Sequence, residues 1–216
     1  MIKNRLLLSS LFVVICVILG LSVGILTSKY YRSEGTAPAI DGFLWPAPKV
    51  IPPFSAVNQD GARFTHEDME GKWSLLFYGY THCPDICPVT MAILQKFYEK
   101  LESEADASNV QVIFISVDPG RDTPEKMAEY THYFHKDFIG LTGSKSQVDQ
   151  MTRMIGIAYV LGEKDASGNY LVDHSASIFL VSPEREWIGI FSAPHQATDL
   201  LQRFQAIRSA VTKLTQ

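Results

Sequence analysis

The chain opens on an apolar stretch, Leu6 to Leu26, broken by three serines and by no charge. Residues 33–61 follow, rich in Pro and Gly, and Pro46, Pro48, Pro52 and Pro53 forbid helix there and keep the backbone extended. "VNQDGARFTHEDMEGK" predicts a short hairpin turning at Asp60-Gly61. After it the pattern alternates. "WSLLFYGY" (73–80) is a continuous apolar run suited to a buried strand, and 88–103 carries helical spacing at Met91, Leu94, Phe97 and Leu101. "VQVIFISVD" (110–118) predicts a second buried strand, and 123–136 a second helix. "FIGLTG" (138–143) reads as a short strand and 144–157 as a helix capped by Ser144 or Ser146. "AYVLGEKDASGNYLVDH" sets a Gly- and charge-rich tip between two β-like pieces, which predicts a hairpin. Two more strands, "SASIFLVS" and "REWIGIFSA", flank a turn at Pro183-Glu184, and 195–214 closes the chain as an amphipathic helix.

Alternating strands and helices place the chain in the α/β class. Strand–helix–strand–helix, then an antiparallel pair and a last helix, is the order of a thioredoxin-like fold, here with an inserted β-hairpin. The expected organisation is an anchor over 1–30, a tether over 31–52 and a thioredoxin-like domain over 53–216. A chain of 216 residues is long enough for one well-packed core plus such appendages.

The 21 residues from Leu6 to Leu26, at about 1.5 Å of rise each, reach about 31 Å as a helix, the thickness of a bilayer's hydrocarbon core. A single N-terminal transmembrane helix is therefore expected. A cleaved signal peptide fits less well, because the run exceeds the usual 7–15-residue apolar region and no A-x-A site follows promptly. Bulky Val14 and Ile15 before Cys16 also argue against a lipoprotein. Lys3, Arg5 and the terminal amine precede the span, and Lys29 and Arg32 follow it with Glu34 nearby, a slight bias toward an inside N-terminus. That orientation puts the domain on the outer, periplasmic or equivalent, side of an inner (cytoplasmic) membrane. The net charge of −4, with no run of Lys and Arg, argues against nucleic acid as a partner.

With Cys16 in the apolar span, Cys83 and Cys87 are the other two of three cysteines. Both fall in "GYTHCPDICPVT", between a strand and a helix whose first turn accommodates Pro88. Free N–H groups and the positive dipole end at a helix start favour thiolate. Thiolate serves disulfide exchange and metal binding alike. The spacing separates them better: a dithiol oxidoreductase usually has two residues between its cysteines, and Pro84, Asp85 and Ile86 make three here. Positions i and i+4 direct both sulfurs to one side if a turn extends back to Cys83. Two soft thiolates select Cu(I), zinc or an iron–sulfur cluster, yet alone complete neither a tetrahedral zinc site nor a four-thiolate cluster.

A third ligand must come from the six histidines. His82 adjoins Cys83 and is expected to point away from the sulfurs. His132 and His135 lie on a helix and read as solvated; His66 sits in an early turn and His195 at the start of the last helix. His174 is different: in a thioredoxin-like domain the loop entering the third core strand faces the redox helix, and "VDHSAS" occupies that loop without the proline a thioredoxin keeps there. A coordinating role competes with that of a strand-end histidine bonded to its neighbours. Asp85 reads first as a turn residue accepting backbone N–H bonds and second as a charge tuning the site. Asp118 and Arg121, in "DPGRDTP", read as structural, with partner docking the alternative, and Asp122 or Thr123 before Pro124 as an ordinary helix start.

"GYTHCPDICP", "SVDPGRDTP", "GLTGS" followed by "VDQM", and "DHSASIFLVSP", in that order and at matching separations, resemble the Sco/SenC proteins, membrane-anchored copper chaperones of cytochrome c oxidase assembly. The resemblance runs from about Pro53 to Ser192. It implies a thioredoxin-like fold with an extra hairpin, and copper, as Cu(I) and/or Cu(II), held by Cys83, Cys87 and His174, with Asp173 supporting the histidine or a partner. It further implies delivery of copper to the CuA-bearing subunit II of the oxidase, directly or through an intermediate copper carrier, or preparation of that site's thiols with the help of a thiol reductant. The alternative is a thiol–disulfide oxidoreductase using the Cys83/Cys87 pair. A peroxidase lacks the Thr and Arg arrangement that activates its cysteine, and a purely structural disulfide leaves His174 without a purpose.

Overall fold

Residues 48–214 are described in the computed structural model. Its strands are β1 (Lys49–Val50), β2 (Ser55–Asn58), β3 (Arg63–Thr65), β4 (Trp73–Gly79), β5 (Val110–Ser116), β6 (Ile139–Thr142), β7 (Val160–Leu161), β8 (Val172–Asp173), β9 (Ile178–Val181) and β10 (Glu186–Phe191). The helices are α1 (Ile86–Ser103), α2 (Pro124–Phe134), α3 (Lys145–Met154) and α4 (Ala197–Leu214). Eight strands form one sheet in the order β1-β10-β9-β4-β5-β6-β2-β3, and β7 pairs β8 in a separate ribbon.

The continuous apolar runs become the centre of the sheet. β4 and β5 pair in parallel from Trp73↔Val110 to Gly79↔Ser116, and every residue of both is buried. Covered on both faces, such strands read as solid hydrophobic runs. The polar residues among them pair with each other: Gln111 Nε2 donates to Ser74 Oγ at 2.8 Å. β9 runs antiparallel to β4, and β10 antiparallel to β9. The order β10-β9-β4-β5, with α1 and α2 between and after the parallel strands, is the thioredoxin-like core the alternation predicts. Parallel β6, then β2 and β3, extend it beyond β5.

Met91, Leu94, Phe97 and Leu101 are all fully buried on α1, as their spacing predicts. Phe97 meets Phe204 of α4 edge-on, with ring centroids 5.4 Å apart. Each such burial contributes about 1.5–3 kcal/mol. Thr123 caps α2, and Ser144 rather than Ser146 caps α3, in a reciprocal capping box with Gln147. The hairpin of β2 and β3 turns through Gly61, whose φ of 76° suits glycine.

The segment read as tether already contributes to the sheet, since β1 pairs β10 and Ile51 is buried. The expected anchor, residues 1–30, lies outside the described residues. Among the described residues no helix is long and apolar enough to cross a membrane.

Candidate metal centre

β4 ends at Gly79 between β5 and β9, and its chain leaves the carboxyl end of the sheet through Tyr80–Asp85 before α1 begins. A crevice outside the carboxyl ends of parallel strands is where α/β proteins place their chemistry. The Cys83 N–H donates to the Tyr80 carbonyl at 3.2 Å, closing the turn that brings Cys83 back over the helix start. Cys87, in the first turn of α1, is fully buried, and Cys83 half-buried; neither is in a disulfide.

His174 follows β8 and reaches the same place from the other side of β4. Its Nε2 lies 3.3 Å from the Cys87 sulfur. Its Nδ1 lies 2.9 Å from the Ser175 carbonyl oxygen, which can only accept, so Nδ1 carries the ring proton and Nε2 keeps its lone pair toward the sulfurs. The Tyr80 and Phe77 rings meet the imidazole edge-on at 5.8 and 6.3 Å. The ligand atoms of Cys83, Cys87 and His174 all lie within 4.8 Å of one another.

The two sulfurs are not equivalent. A hydrogen bond from the Cys87 thiol brings the Cys83 thiol down to about 3, with further help from the N–H groups of Asp85 and Cys87, against the opposing effect of burial. The same hydrogen bond, together with burial, pushes Cys87 up. Cys83 is thus the thiolate and the more accessible of the two sulfurs, and Cys87 holds the shared proton behind it. Gly79 makes room for this: a Cβ there would stand 2.8 Å from the Cys87 sulfur and 2.7 Å from Phe114 Cε2.

A buried carboxylate supports the loop. Asp122 accepts from the Thr81 hydroxyl and the Ser116 hydroxyl, both at 2.6 Å, and from the Thr81 N–H at 3.1 Å. Burial raises its pKa, and these hydrogen bonds oppose the rise. Asp118, 1% exposed, accepts from Arg121 Nε and, at 2.6 Å, from the Tyr170 hydroxyl.

The family model for SCO1/SenC matches residues 45–209. The chain belongs to the SCO1/SenC family. The SCO2 homologue of Bos taurus mitochondria is 39% identical over 163 residues, 74% of this chain and 61% of that protein. The mitochondrial SCO1 homologue 1 of Arabidopsis thaliana is 40% identical over 148 residues, 68% of this chain and 44% of that protein. This chain therefore spans less than two thirds of the length of either. The crystal structure of Arabidopsis thaliana ScoI with copper bound is similar at a TM-score of 0.68 and 36% identity, covering 76% of this chain and 99% of that one.

In this SCO1/SenC chain the fold gathers Cys83, Cys87 and His174, the trio singled out in the sequence. The other histidines stand apart. His82 turns to Thr81 Oγ1 at 3.0 Å, His132 is exposed on α2, and His195 donates to the Ala176 carbonyl at 2.7 Å. Asp85 departs from its expected part: it is the N-cap residue of α1, but its side chain makes no capping bond, and it serves the site through its own N–H to Cys83. Asp173 is exposed on β8 and outside the trio. Asp118 and Arg121 form an ion pair within the fold. Sequence reasoning missed Gly79, and it read Asp122 only as a candidate helix start rather than as the carboxylate that holds the cysteine loop. The available signal for Asp122 was an acid at the carboxyl end of a buried strand, the same end from which the cysteine loop leaves.

Proposed function

We propose that this SCO1/SenC protein binds copper through Cys83, Cys87 and His174 and passes it on during cytochrome c oxidase assembly, to the CuA-bearing subunit II or an intermediate carrier. The observation that carries this is the convergence of two sulfurs and one unprotonated imidazole nitrogen within 4.8 Å. Two thiolates and an imidazole suit soft, low-coordinate copper better than hard cations. Cys83, the less buried sulfur and already thiolate, makes first contact with the incoming ion. Cys87 gives up the shared proton, and His174 closes the site with Nε2. Because Cu(I) tolerates two or three ligands, an acceptor's thiolate enters before His174 or a cysteine leaves. The Leu6–Leu26 stretch would hold the domain at the membrane's outer face.

The test uses the full chain in detergent, reduced and loaded with copper, beside His174→Ala. One copper per chain and a thiolate-to-Cu(II) absorption band that shifts or weakens in the variant support the reading. Loss of all copper from the wild type on desalting defeats it.

The thiolate state of Cys83, with a thiol directly behind it, favours a second reading. Cys83 attacks a partner's disulfide, forming one S–S bond and breaking another, and Cys87 then attacks Cys83. The protein's dithiol becomes a disulfide, the partner's disulfide becomes one thiolate, released in the first step, and one thiol, which takes the Cys87 proton as it departs in the second. Unchanged electron transfer in His174→Ala would favour it.

A further inference from the structure

His174 is carried on the weakest element near the site. β7 and β8 form a two-stranded ribbon outside the main sheet, with Val160, Leu161 and Leu171 largely exposed. A lone two-stranded hairpin is marginally stable in water. Something else must fix where β8 delivers the histidine. Arg121 holds that place. Its guanidinium lies 3.5 Å over the Tyr170 ring, and its Nη2 donates to the Tyr170 carbonyl at 3.0 Å. Asp118 accepts from Arg121 Nε and from the Tyr170 hydroxyl, tying ring, backbone and cation into one unit. The guanidinium is also 5.7 Å from the Tyr80 ring, which meets His174 edge-on at 5.8 Å. The Tyr80 hydroxyl in turn receives the Val172 N–H and meets the Cys83 thiol. The chain is therefore pinned at Tyr170 and Val172, four and two residues before His174.

We propose that Arg121 and Tyr170 are positioning residues for His174, acting through Tyr80 and the hairpin backbone to hold Nε2 against the cysteine sulfurs; for copper, this rests on the function proposed above. A planar fork is required to stack on one ring while bonding a carboxylate and a carbonyl at once, so lysine replaces Arg121 only in part, keeping the charge and losing the fork. Partners behind a metal ligand set its orientation, and losing them costs about 10–100-fold in affinity.

The experiment compares Tyr170→Ala, Tyr170→Phe and Arg121→Lys, each in the wild-type and the His174→Ala background, as full chains in detergent. Cu(I) affinity is measured by competition with a chromophoric chelator, and the histidine ring signals are followed by NMR in copper-free protein. Tyr170→Ala is expected to weaken Cu(I) binding about 10–100-fold, with smaller losses for the other two. With His174 already removed, none should weaken it further. In copper-free protein the His174 signals should shift while those of His135 stay in place. Equal losses in both backgrounds, or an unmoved His174, overturn the proposal. Should Tyr170→Ala fail to fold, the two milder variants decide. A wild type that takes up no copper defeats the proposed function alone, since the NMR comparison still judges the positioning.

Discussion

Among the described residues, two trios of side chains bring ligand atoms within 4.8 Å of one another: Cys83, Cys87 and His174, and Glu102, His135 and Asp137. Closeness does not distinguish them; the placement of protons does. In the first, the Ser175 carbonyl takes the ring proton at Nδ1 and leaves Nε2 open. In the second, the Asp137 N–H donates to His135 Nδ1 at 3.2 Å, so the proton sits on Nε2 and goes to Glu102 at 3.2 Å. The Asp137 carboxylate is engaged by Lys136 at 2.7 Å. The second trio satisfies itself and reads as a hydrogen-bonded surface cluster; the first keeps an imidazole lone pair open beside a thiolate.

Cys87→Ala should break the contrast most completely. Copper should be lost on desalting, as metal analysis of the desalted chain would show. Without the Cys87 hydrogen bond, the Cys83 thiol should climb from about 3 toward the ordinary value of about 8.5. Its alkylation rate, flat from about pH 5 to 8 in the wild type, should then rise with pH. A flat profile in the variant would mean that the helix start, not Cys87, makes the thiolate.

Gly79→Ala should come next, since its methyl meets the Cys87 sulfur and Phe114. Overpacking of this kind costs about 1–3 kcal/mol, visible as a lower denaturant midpoint, and copper affinity should fall with it. An unchanged midpoint would show that the sulfur has room to move. Asp122→Asn weakens the acceptor for Thr81 and Ser116 and should cost on the order of 1 kcal/mol while leaving one copper per chain. Smallest of all, Glu102→Gln should change stability by less than about 1 kcal/mol and copper content not at all. Copper lost on that substitution would erase the distinction between the trios.

Much of this was legible in the sequence because it rests on local pattern. The solid apolar runs of β4 and β5, the helical spacing of α1 and the Ser144 cap are decided by neighbours a few residues apart. The cysteine pair announced itself by its place between strand and helix, and His174 by the strand that follows it. What stayed hidden depends on contacts distant in the chain. The Thr81–Asp122 bonds cross 41 residues and those of Tyr170 with Asp118 cross 52. The need for glycine at position 79 exists only once Phe114 and Cys87 close on it. The Asp85 reading failed for a subtler reason: the Cys87 N–H, which a capping Asp85 would accept, turns to the Cys83 sulfur instead. Two-residue β1, too short for a periodic signal, was hidden within a proline-rich stretch.

The separation of 87 positions from Cys87 to His174 also imposes a timetable on synthesis. At about 5–20 residues per second, the cysteines are made roughly 4–17 s before the histidine. During that interval the nascent chain offers a bare pair of thiols, open to oxidants and stray metals. The complete trio arrives only when β9 has paired with β4, so the third donor reports that the long-range sheet has formed.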